Sequence, residues 1–315
     1  MLNRRLITLT LNPALDVSTS VPDVVPEHKL RCASGVQSAG GGGINVSRAL
    51  KRLGYVALAV FASGGPTGRR LEALLTAEAV PCLPVSVADE TRQNLAVRET
   101  GSGAQFRFVL PGPTVTTVEL ENCISAALSR VEKGDYLIAS GSLPLGVAND
   151  AYRILAARAE EAGAYFVLDC PASSLRASLG AGVSLIKPSF SEFTQLTGVS
   201  PADRSAALRA IDDLVAHEKT KAVALSLGRQ GAWFVSRDIA IAATAPKVDV
   251  VSTVGAGDSF LAALVAKLAG GGTPAEALRL AVASGTAALL RPGAELCRQE
   301  DVNALSAAVA VEPLR

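Results

Sequence analysis

The chain has 315 residues, of which 49% are hydrophobic and 19% are charged, and its 30 lysines and arginines almost balance 29 aspartates and glutamates, for a net charge of +1. This balance lacks the basic surplus of a general nucleic-acid-binding surface, so we expect no nucleic-acid partner. No segment approaches the roughly 20 consecutive apolar residues that cross a bilayer, and the first apolar run is shorter than an export signal, so we expect no membrane association.

The cysteines are scattered and form no Cys-x-x-Cys pair, which is typical of reduced thiols in a cytoplasmic protein. The two histidines, His28 and His217, have no partner at metal-ligand spacing. We therefore expect any chemistry to use carboxylates, backbone amides and basic side chains.

Apolar β-branched runs alternate with amphipathic segments along most of the chain. We predict strands over 6–11, 56–62, 136–140, 164–169, 183–187 and 222–227. We predict helices over 44–53, 67–79, 117–131, 148–162, 191–197 and 203–217. After residue 228 the pattern changes to short strands over 232–236 and 239–244 and then helices over 256–269, 274–290 and 299–310. Buried strands separated by helices of this length predict βαβ units and a mostly parallel sheet.

Two segments, 15–37 and 89–110, lack helical periodicity. In the second, alternating runs over 94–99 and 105–110 flank a Gly-Ser-Gly turn, which indicates a hairpin. Such pieces cannot join a parallel sheet through short connections, so we predict a small β lid over one edge of the main domain, suited to closing over a ligand. A purely structural hairpin would give the same pattern.

A first glycine cluster, Gly40-Gly41-Gly42-Gly43-Ile44-Asn45, opens the helix predicted over 44–53. Glycines let a ligand approach the backbone closely, and a helix start offers free amides. Asn45 stands where a dinucleotide fingerprint needs glycine, which argues against the nucleotide-dependent oxidoreductase that an α/β pattern alone would permit. Asn45 could bond a hydroxyl-rich ligand or only occupy the first helical turn.

A second cluster, Thr253-Val254-Gly255-Ala256-Gly257-Asp258-Ser259, leads into an apolar helix. Its glycines let successive N–H groups point into one concavity, which the helix dipole makes positive. A carboxylate there suits the removal of a proton from a hydroxyl while a phosphoryl group gathers charge nearby. An ordinary N-cap by Asp258 would give the same local sequence. The dipeptide Gly-Lys is absent from the sequence, so a bound nucleotide would not use a Walker loop.

In their order along the chain, the two clusters resemble the signatures of the PfkB-type (ribokinase-like) carbohydrate kinases, and the likeness extends from Leu9 to Cys297. The resemblance implies a three-layer α/β/α sandwich with a mostly parallel central sheet and a small β-sheet lid. It implies one domain over 1–315, with the lid inserted at 15–37 and 89–110, and a homodimer formed through the lid. A catalytically idle sensor would be expected to lack the base, whereas Asp258 and its glycines are intact.

Within this family, the segments Thr91-Arg92-Gln93-Asn94-Leu95 and Ser140-Gly141-Ser142-Leu143-Pro144 resemble the branch that acts on fructose 6-phosphate. The resemblance implies transfer of the ATP γ-phosphate to the C1 hydroxyl of this sugar phosphate. Fructose 1-phosphate and tagatose 6-phosphate remain alternative acceptors.

The resemblance also implies roles for single residues. Asp258 would be the general base, and an anion hole would be formed by the amides of Gly255, Ala256, Gly257 and Asp258. The sugar hydroxyls would be held by Asp16, Gly40, Gly41 and Asn45. The phosphate already on the sugar would be held by Lys29, Arg92 and Ser142, with Arg107 close by. The phosphates and ribose of ATP would be lined by Lys187, Ser226, Gly228 and Gly231, and the adenine by Val282 and Thr286.

The implied cofactors of the ATP reaction are Mg²⁺, held through water by Glu192, and a K⁺ ion as an optional addition. The monovalent cation would be bound by Ser252, Val254, Ala288 and Gly293, although the nearby Arg291 and Glu295 depart from the family pattern. Ser189 stands where relatives usually carry the Asn of an Asn-x-x-Glu motif. Because serine is shorter and lacks the amide donor, we expect a weakened or shifted dependence on magnesium.

Overall fold

The computed structural model describes residues 4–291, 293 and 295–315. The strands in this part of the chain are β1 (Leu6–Thr10), β2 (Ala14–Val21), β3 (Val36–Gly40), β4 (Ala57–Ser63), β5 (Cys82–Ser86), β6 (Arg92–Glu99), β7 (Gln105–Val109), β8 (Tyr136–Ser140), β9 (Tyr165–Asp169), β10 (Val183–Ile186), β11 (Ala222–Ser226), β12 (Ala232–Ser236), β13 (Ala240–Ala243) and β14 (Val311–Pro313). The helices are α1 (Gly42–Arg52), α2 (Gly65–Ala77), α3 (Thr117–Leu128), α4 (Ala151–Glu161), α5 (Ala172–Ser178), α6 (Phe190–Thr197), α7 (Arg204–Ala216), α8 (Ala256–Ala269), α9 (Pro274–Leu289) and α10 (Gln299–Ser306).

The large sheet has the strand order β14-β13-β12-β11-β10-β9-β8-β1-β4-β5. The seven neighbouring strands β11, β10, β9, β8, β1, β4 and β5 run parallel to one another. Strands β12, β13 and β14 extend the sheet beyond β11 in antiparallel fashion. The mostly parallel sheet expected from the alternating pattern is therefore confirmed, and the six buried strands lie within one residue of their predicted bounds.

Two large hydrophobic clusters cover the two faces of this sheet. Successive residues of one strand belong to opposite clusters, as Leu137 and Ile138 do in β8 and Phe166 and Val167 do in β9. Helices α1, α8 and α9 pack on one face, whereas α4, α6 and α7 supply apolar side chains to the other. Strands buried on both faces explain the unbroken apolar runs of the sequence, and the three-layer α/β/α arrangement is confirmed.

Sequence patterns missed three short elements. β5 carries Pro84 and lies at the sheet edge, where a missing N–H is tolerated but the strand pattern is weak. α5 is too short to show a helical period. The third is β14, which pairs with β13, and the helix before it ends at Ser306 rather than at the predicted 310.

The separate four-stranded sheet has the order β3-β2-β6-β7, which confirms a small sheet beside the main one. In this sheet β2 and β3 are joined by residues 22–35, and β3 runs on to Gly40, directly before α1. Asp16 in β2 is paired with Asn94 in β6, and Arg107 in β7 is paired with the residue two positions after Asn94. Because alternate residues of a strand point to the same face of the sheet, all three side chains share one face. That face carries Asp16, Asn94 and Arg107, whereas Leu95, Phe106 and Phe108 lie on the other.

Candidate active site

Polar side chains gather where the parallel strands of the large sheet end. Asn12 follows β1, Ser142 follows β8, Asp169 ends β9 and Lys187 follows β10. Ligands of open α/β sheets bind at this carboxyl edge. Helix α1 starts against it, because Cβ atoms on Gly42 and Gly43 would fall 2.3 Å from Ser140 Oγ and 2.6 Å from Thr10 Oγ1.

Asp258 is the third residue of α8, whose N-cap is Gly255 with a φ of 75°. Its carboxylate does not cap the helix. Instead Asn45, in the first turns of α1, donates from Nδ2 to Asp258 Oδ2 at 2.9 Å. The N-cap alternative for Asp258 is therefore wrong, and the two glycine clusters, far apart in sequence, meet through this one bond.

Burial in the cleft raises the pKa of Asp258, and the negative charges of Asp169 and Asp16 add to the rise. The bond from Asn45 and the charge of Lys187 oppose it, and the net pKa is about 7. A carboxylate with such a pKa can accept a proton near neutral pH, which is what a general base needs.

Lys187 and Asp169 form a buried ion pair, with Nζ and Oδ1 3.1 Å apart and the lysine only 5% exposed. Burial lowers the pKa of Lys187, but the carboxylates of Asp169, Glu192 and Asp258 outweigh it, so the pKa is raised and the amine stays protonated. Burial raises the pKa of Asp169, and Lys187 opposes that rise. Asp169 belongs to no motif and was not predicted, although a carboxylate ending a buried parallel strand is a usable signal.

The first N–H groups of α8 have no partner within the helix and face outward at Ala256 and Gly257. Gly257 is exposed, and a Cβ there would lie 3.6 Å from Lys187 Nζ. Free amides and an ammonium group thus meet beside Asp258, which makes this corner an anion site.

A cavity of about 500 Å³ opens from this corner. It brings together most residues expected around ATP, namely Ser226, Gly228, Gly231, Val282 and Thr286, with Ala256 and Gly257. Thr286 donates its hydroxyl to Val282 O at 2.8 Å, so the cavity receives mainly its methyl group. Sequence reasoning missed the segment from Ala245 to Val250 and the cations Arg229 and Lys247, which also line the cavity and carry no motif. The volume of the cavity, its free amides, its cations and its apolar wall together fit a nucleoside triphosphate.

On the other side of Asp258, the Asp16 carboxylate lies over Gly40, where a Cβ would fall 2.1 Å from Asp16 Oδ2. Asn94 donates to Asp16 Oδ1 at 2.8 Å. Burial raises the pKa of Asp16, and the Asn94 bond and the charges of Arg92 and Arg107 oppose the rise. The group formed by Asp16, Gly40 and Gly41 thus lies next to the start of α1, which carries Asn45.

Arg92 and Ser142 are linked through Asn12. Arg92 Nη2 donates to Asn12 O at 3.1 Å, and Asn12 Nδ2 donates to Ser142 Oγ at 3.1 Å. Arg92 Nε and Asn12 Oδ1 are buried without a partner, which leaves polar capacity for a ligand at this place. Arg107 lines a small cavity of about 40 Å³ with Asp16 and Asn94.

The structure does not bring every expected residue to this pocket. Lys29 is exposed in the connection between β2 and β3 and lines none of the cavities described above.

Glu192 and Ser189 form a capping box at the start of α6. Ser189 donates from its backbone N and from Oγ to Glu192 Oε2, at 2.8 and 2.7 Å. Both bonds end on one oxygen, so the other carboxylate oxygen could hold a magnesium-bound water. No cluster of three or more His, Cys, Asp or Glu side chains has metal-binding geometry in the described ranges, and Mg²⁺ typically needs few protein ligands.

The residues expected around a monovalent cation are neighbours. Ser252 Oγ donates to Gly293 O at 3.3 Å and accepts from Val254 N at 3.2 Å. Ala288 precedes Leu289, whose carbonyl accepts from Ser252 N at 3.3 Å. The carbonyl of Ala288 itself accepts from Arg291 N at 3.2 Å.

The side chains of Arg291 and Glu295, where the resemblance implies other residues, are engaged elsewhere. The Arg291 guanidinium pairs with Asp301 in α10. Glu295 pairs with Arg298, and its carbonyl accepts a bond from Arg52. Neither side chain therefore replaces the oxygen ligands.

Fold and site together define a carbohydrate kinase of the α/β/α class. The model of the pfkB family carbohydrate kinases matches residues 10–301, and the chain belongs to this family. This confirms the resemblance read from the two glycine clusters and contradicts the oxidoreductase alternative.

Two curated relatives illustrate the family branches. The ATP-dependent 6-phosphofructokinase isozyme 2 of Escherichia coli (strain K12) is 40% identical over 304 residues, covering 96% of this chain and 98% of the relative. A 1-phosphofructokinase of Xanthomonas campestris is 33% identical over 310 residues, covering 97% of each chain.

Solved structures of phosphofructokinase-2 from Escherichia coli have the same fold. Its complex with substrates and products has a TM-score of 0.92 and 40% identity, covering 96% of this chain and 99% of that one. Its complex with potassium has a TM-score of 0.93 at 40% identity, covering 97% and 99%. A tetrameric inhibited form matches with a TM-score of 0.91, 40% identity and the same coverage.

Across the described residues, no helix is both long and apolar enough to span a bilayer. The five cysteines are free thiols, as expected from their spacing.

Proposed function

We propose that the protein transfers the γ-phosphoryl group of ATP to the C1 hydroxyl of fructose 6-phosphate, forming fructose 1,6-bisphosphate and ADP. The observation that carries this proposal is the position of Asp258. Its carboxylate lies between a nucleotide-sized cavity and a polar pocket, beside free helix amides and a buried lysine. The 40% identity to a 6-phosphofructokinase favours this acceptor over others in the family.

In this proposal Asp258 accepts the proton of the C1 hydroxyl as the oxygen attacks the γ-phosphorus. Its pKa near 7 lets it hold that proton during the step. Asp16 and Asn45, with the backbone of Gly40 and Gly41, hold the sugar hydroxyls and aim the reacting oxygen.

The amides of Gly255, Ala256, Gly257 and Asp258 stabilise the charge on the transferring phosphoryl group. Lys187 adds a full positive charge beside them, in a setting from which most water is excluded. Ser226, Gly228, Gly231, Val282 and Thr286 orient the nucleotide in its cavity.

The phosphate already on the sugar is held by Arg92, Ser142, Arg107 and Lys29. The unpartnered Arg92 Nε and the nearby Ser142 hydroxyl support this role, since a dianion needs charge-assisted donors. Lys29 reaches this phosphate only if the connection between β2 and β3 changes its position or is supplied by another subunit.

Glu192 would hold a Mg²⁺ ion through water, and that ion would neutralise charge on the nucleotide phosphates. The oxygens of Ser252, Val254, Ala288 and Gly293 would hold K⁺, a role supported by their mutual contacts and by the relative's potassium complex. These oxygens lie beside the loop that leads into the α8 amides.

The small sheet acts as a lid in this proposal, with residues 15–37 and 89–110 inserted in a single domain over 1–315 at a cytoplasmic location. Leu95, Phe106 and Phe108 are 40%, 38% and 52% exposed on the face turned from the site. An exposed apolar sheet face of this kind is a docking surface, so we propose a homodimer formed lid to lid. A Phe108→Asp variant that keeps the wild-type mass in light scattering would contradict it.

A coupled assay of ADP release tests the function. Fructose 6-phosphate, fructose 1-phosphate, tagatose 6-phosphate and unphosphorylated sugars are compared as acceptors with MgATP. We expect the highest kcat/KM with fructose 6-phosphate. A preference for fructose 1-phosphate or tagatose 6-phosphate would instead support the alternative acceptors, and no turnover with any of them would refute the proposal.

A further inference from the structure

A buried arginine lies directly behind the glycine corner of α1. Arg48 is one helical turn after Asn45 and is only 3% exposed. Its Nη1 donates to Ala39 O at 2.8 Å and to Asn45 Oδ1 at 3.4 Å. The same guanidinium group therefore contacts the residue before Gly40 and the residue that bonds Asp258.

Glu78, the C-cap residue of α2, holds this guanidinium from the other side. Arg48 Nε donates to Glu78 Oε2 at 2.8 Å, and Nη2 donates to Oε1 at 2.6 Å. Two parallel bonds of this kind fix the plane of an arginine as well as its position. Glu78 is 33% exposed, so the clamp runs from the protein surface to the interior.

The guanidinium group determines which way the Asn45 amide faces. Arginine has donors only, so the amide atom turned toward Arg48 is the oxygen. The nitrogen then faces Asp258 and donates to it. Rotated by half a turn, the same amide would present its oxygen to the carboxylate, and two acceptors would repel each other.

We propose that Arg48, clamped by Glu78, is a positioning residue that holds the Asn45 amide as a donor to the Asp258 carboxylate and ties the lid strand β3 to α1 through Ala39. The proposal rests on the proposed function of Asp258 as the base. Arg48 itself touches no reacting atom and acts through Asn45 and the backbone before Gly40.

The experiment uses Arg48→Lys, which keeps the charge but loses the fork, with Lys51→Gln as its matched control. Lys51 lies on the same helix and donates to Ala79 O at 2.7 Å, next to Glu78 but outside the site. For Arg48→Lys we expect kcat to fall by about 10- to 100-fold. Lys51→Gln should keep the wild-type kcat.

The pH profile separates positioning from simple loss of stability. When Asn45 no longer donates to Asp258, the acid limb of kcat/KM should move to higher pH, since Asp169 and Asp16 still raise the pKa of the carboxylate and only Lys187 opposes them. A lower thermal midpoint with an unmoved acid limb and an unchanged kcat would mean that Arg48 is only structural and would overturn the proposal.

A double-mutant cycle supplies the second test. Because Arg48 acts through Asn45, Arg48→Lys should lower kcat far less in an Asn45→Ala background than in wild type. Additive effects would overturn the proposal. Glu78→Gln keeps one acceptor oxygen, so it should change kcat and the acid limb in the same direction as Arg48→Lys but by a smaller amount. If Arg48→Lys does not fold, Glu78→Gln takes its place in these experiments. A wild-type enzyme that is inactive on every acceptor would refute the proposed function. An active enzyme whose kcat and pH profile do not change in Arg48→Lys would refute only the role of Arg48.

Discussion

The two glycine corners of the site are built for opposite purposes. At the α1 corner, a Cβ on Gly43 would fall 2.6 Å from Thr10 Oγ1 and 2.8 Å from Leu9 O, so glycine is required by the protein's own packing. At the α8 corner, a Cβ on Gly257 would meet only Lys187 Nζ at 3.6 Å. Gly257 is thus dispensable for the fold and leaves room for a ligand, whereas Gly43 closes the core.

The largest effect should come from the carboxylate between the two corners. Asp258→Asn keeps the size and the contact to Asn45 but cannot accept a proton. We expect kcat to fall by about 10²–10⁴-fold while ATP still binds, because a positioned base contributes about that much. Steady-state turnover and nucleotide titration measure the two effects, and full activity in this variant would contradict the role of the base.

The next prediction tests the two corners against each other. Gly257→Ala should fold normally but should lower kcat/KM for ATP by about tenfold or more, because a methyl group would stand where the phosphoryl group approaches the amides. Gly43→Ala should lower the free energy of unfolding by about 1–3 kcal/mol through overpacking. Urea unfolding and initial rates measured on both variants check it.

The opposite result would contradict this difference between the two corners. A stability loss in Gly257→Ala, with Gly43→Ala unaffected, would show that the protein's own packing fills the α8 corner and not the α1 corner.

The pKa of Asp258 predicts a pH effect on stability as well as on rate. A carboxylate whose pKa rises from 3.8 in the unfolded chain to about 7 in the fold binds more protons when folded, so its contribution to stability decreases as the pH rises through that interval. Asp258→Asn should therefore raise the thermal midpoint more at pH 8 than at pH 5. Equal midpoint changes at both pH values would show that the pKa is not shifted.

The sequence was most informative where one local pattern determines the structure. Unbroken apolar runs predicted β8 and β9 because both faces of those strands are buried. The bond between Asn45 and Asp258 could not be predicted, since it joins residues 213 positions apart and depends on how two helices meet the sheet. Arg48 and Asp169 lie within ordinary helix and strand patterns, and only packing shows that they surround the base.

The smallest effect concerns Ser189, which stands where the family resemblance implies an asparagine. Its hydroxyl and its N–H both donate to Glu192 Oε2, so the capping box leaves only the other carboxylate oxygen for a magnesium-bound water. Ser189→Asn keeps an N-cap residue, and α6 should therefore retain its stability. We expect half-maximal activation at a lower Mg²⁺ concentration, with kcat at saturation changed by less than about threefold, because one hydrogen bond is redirected and its net worth is about 1 kcal/mol. Gln195→Ala is the matched control, since Gln195 is exposed on the same helix, three residues after Glu192, and its side chain takes no part in the box. An activation curve for Ser189→Asn that coincides with those of wild type and Gln195→Ala would show that Glu192 is equally available with either cap.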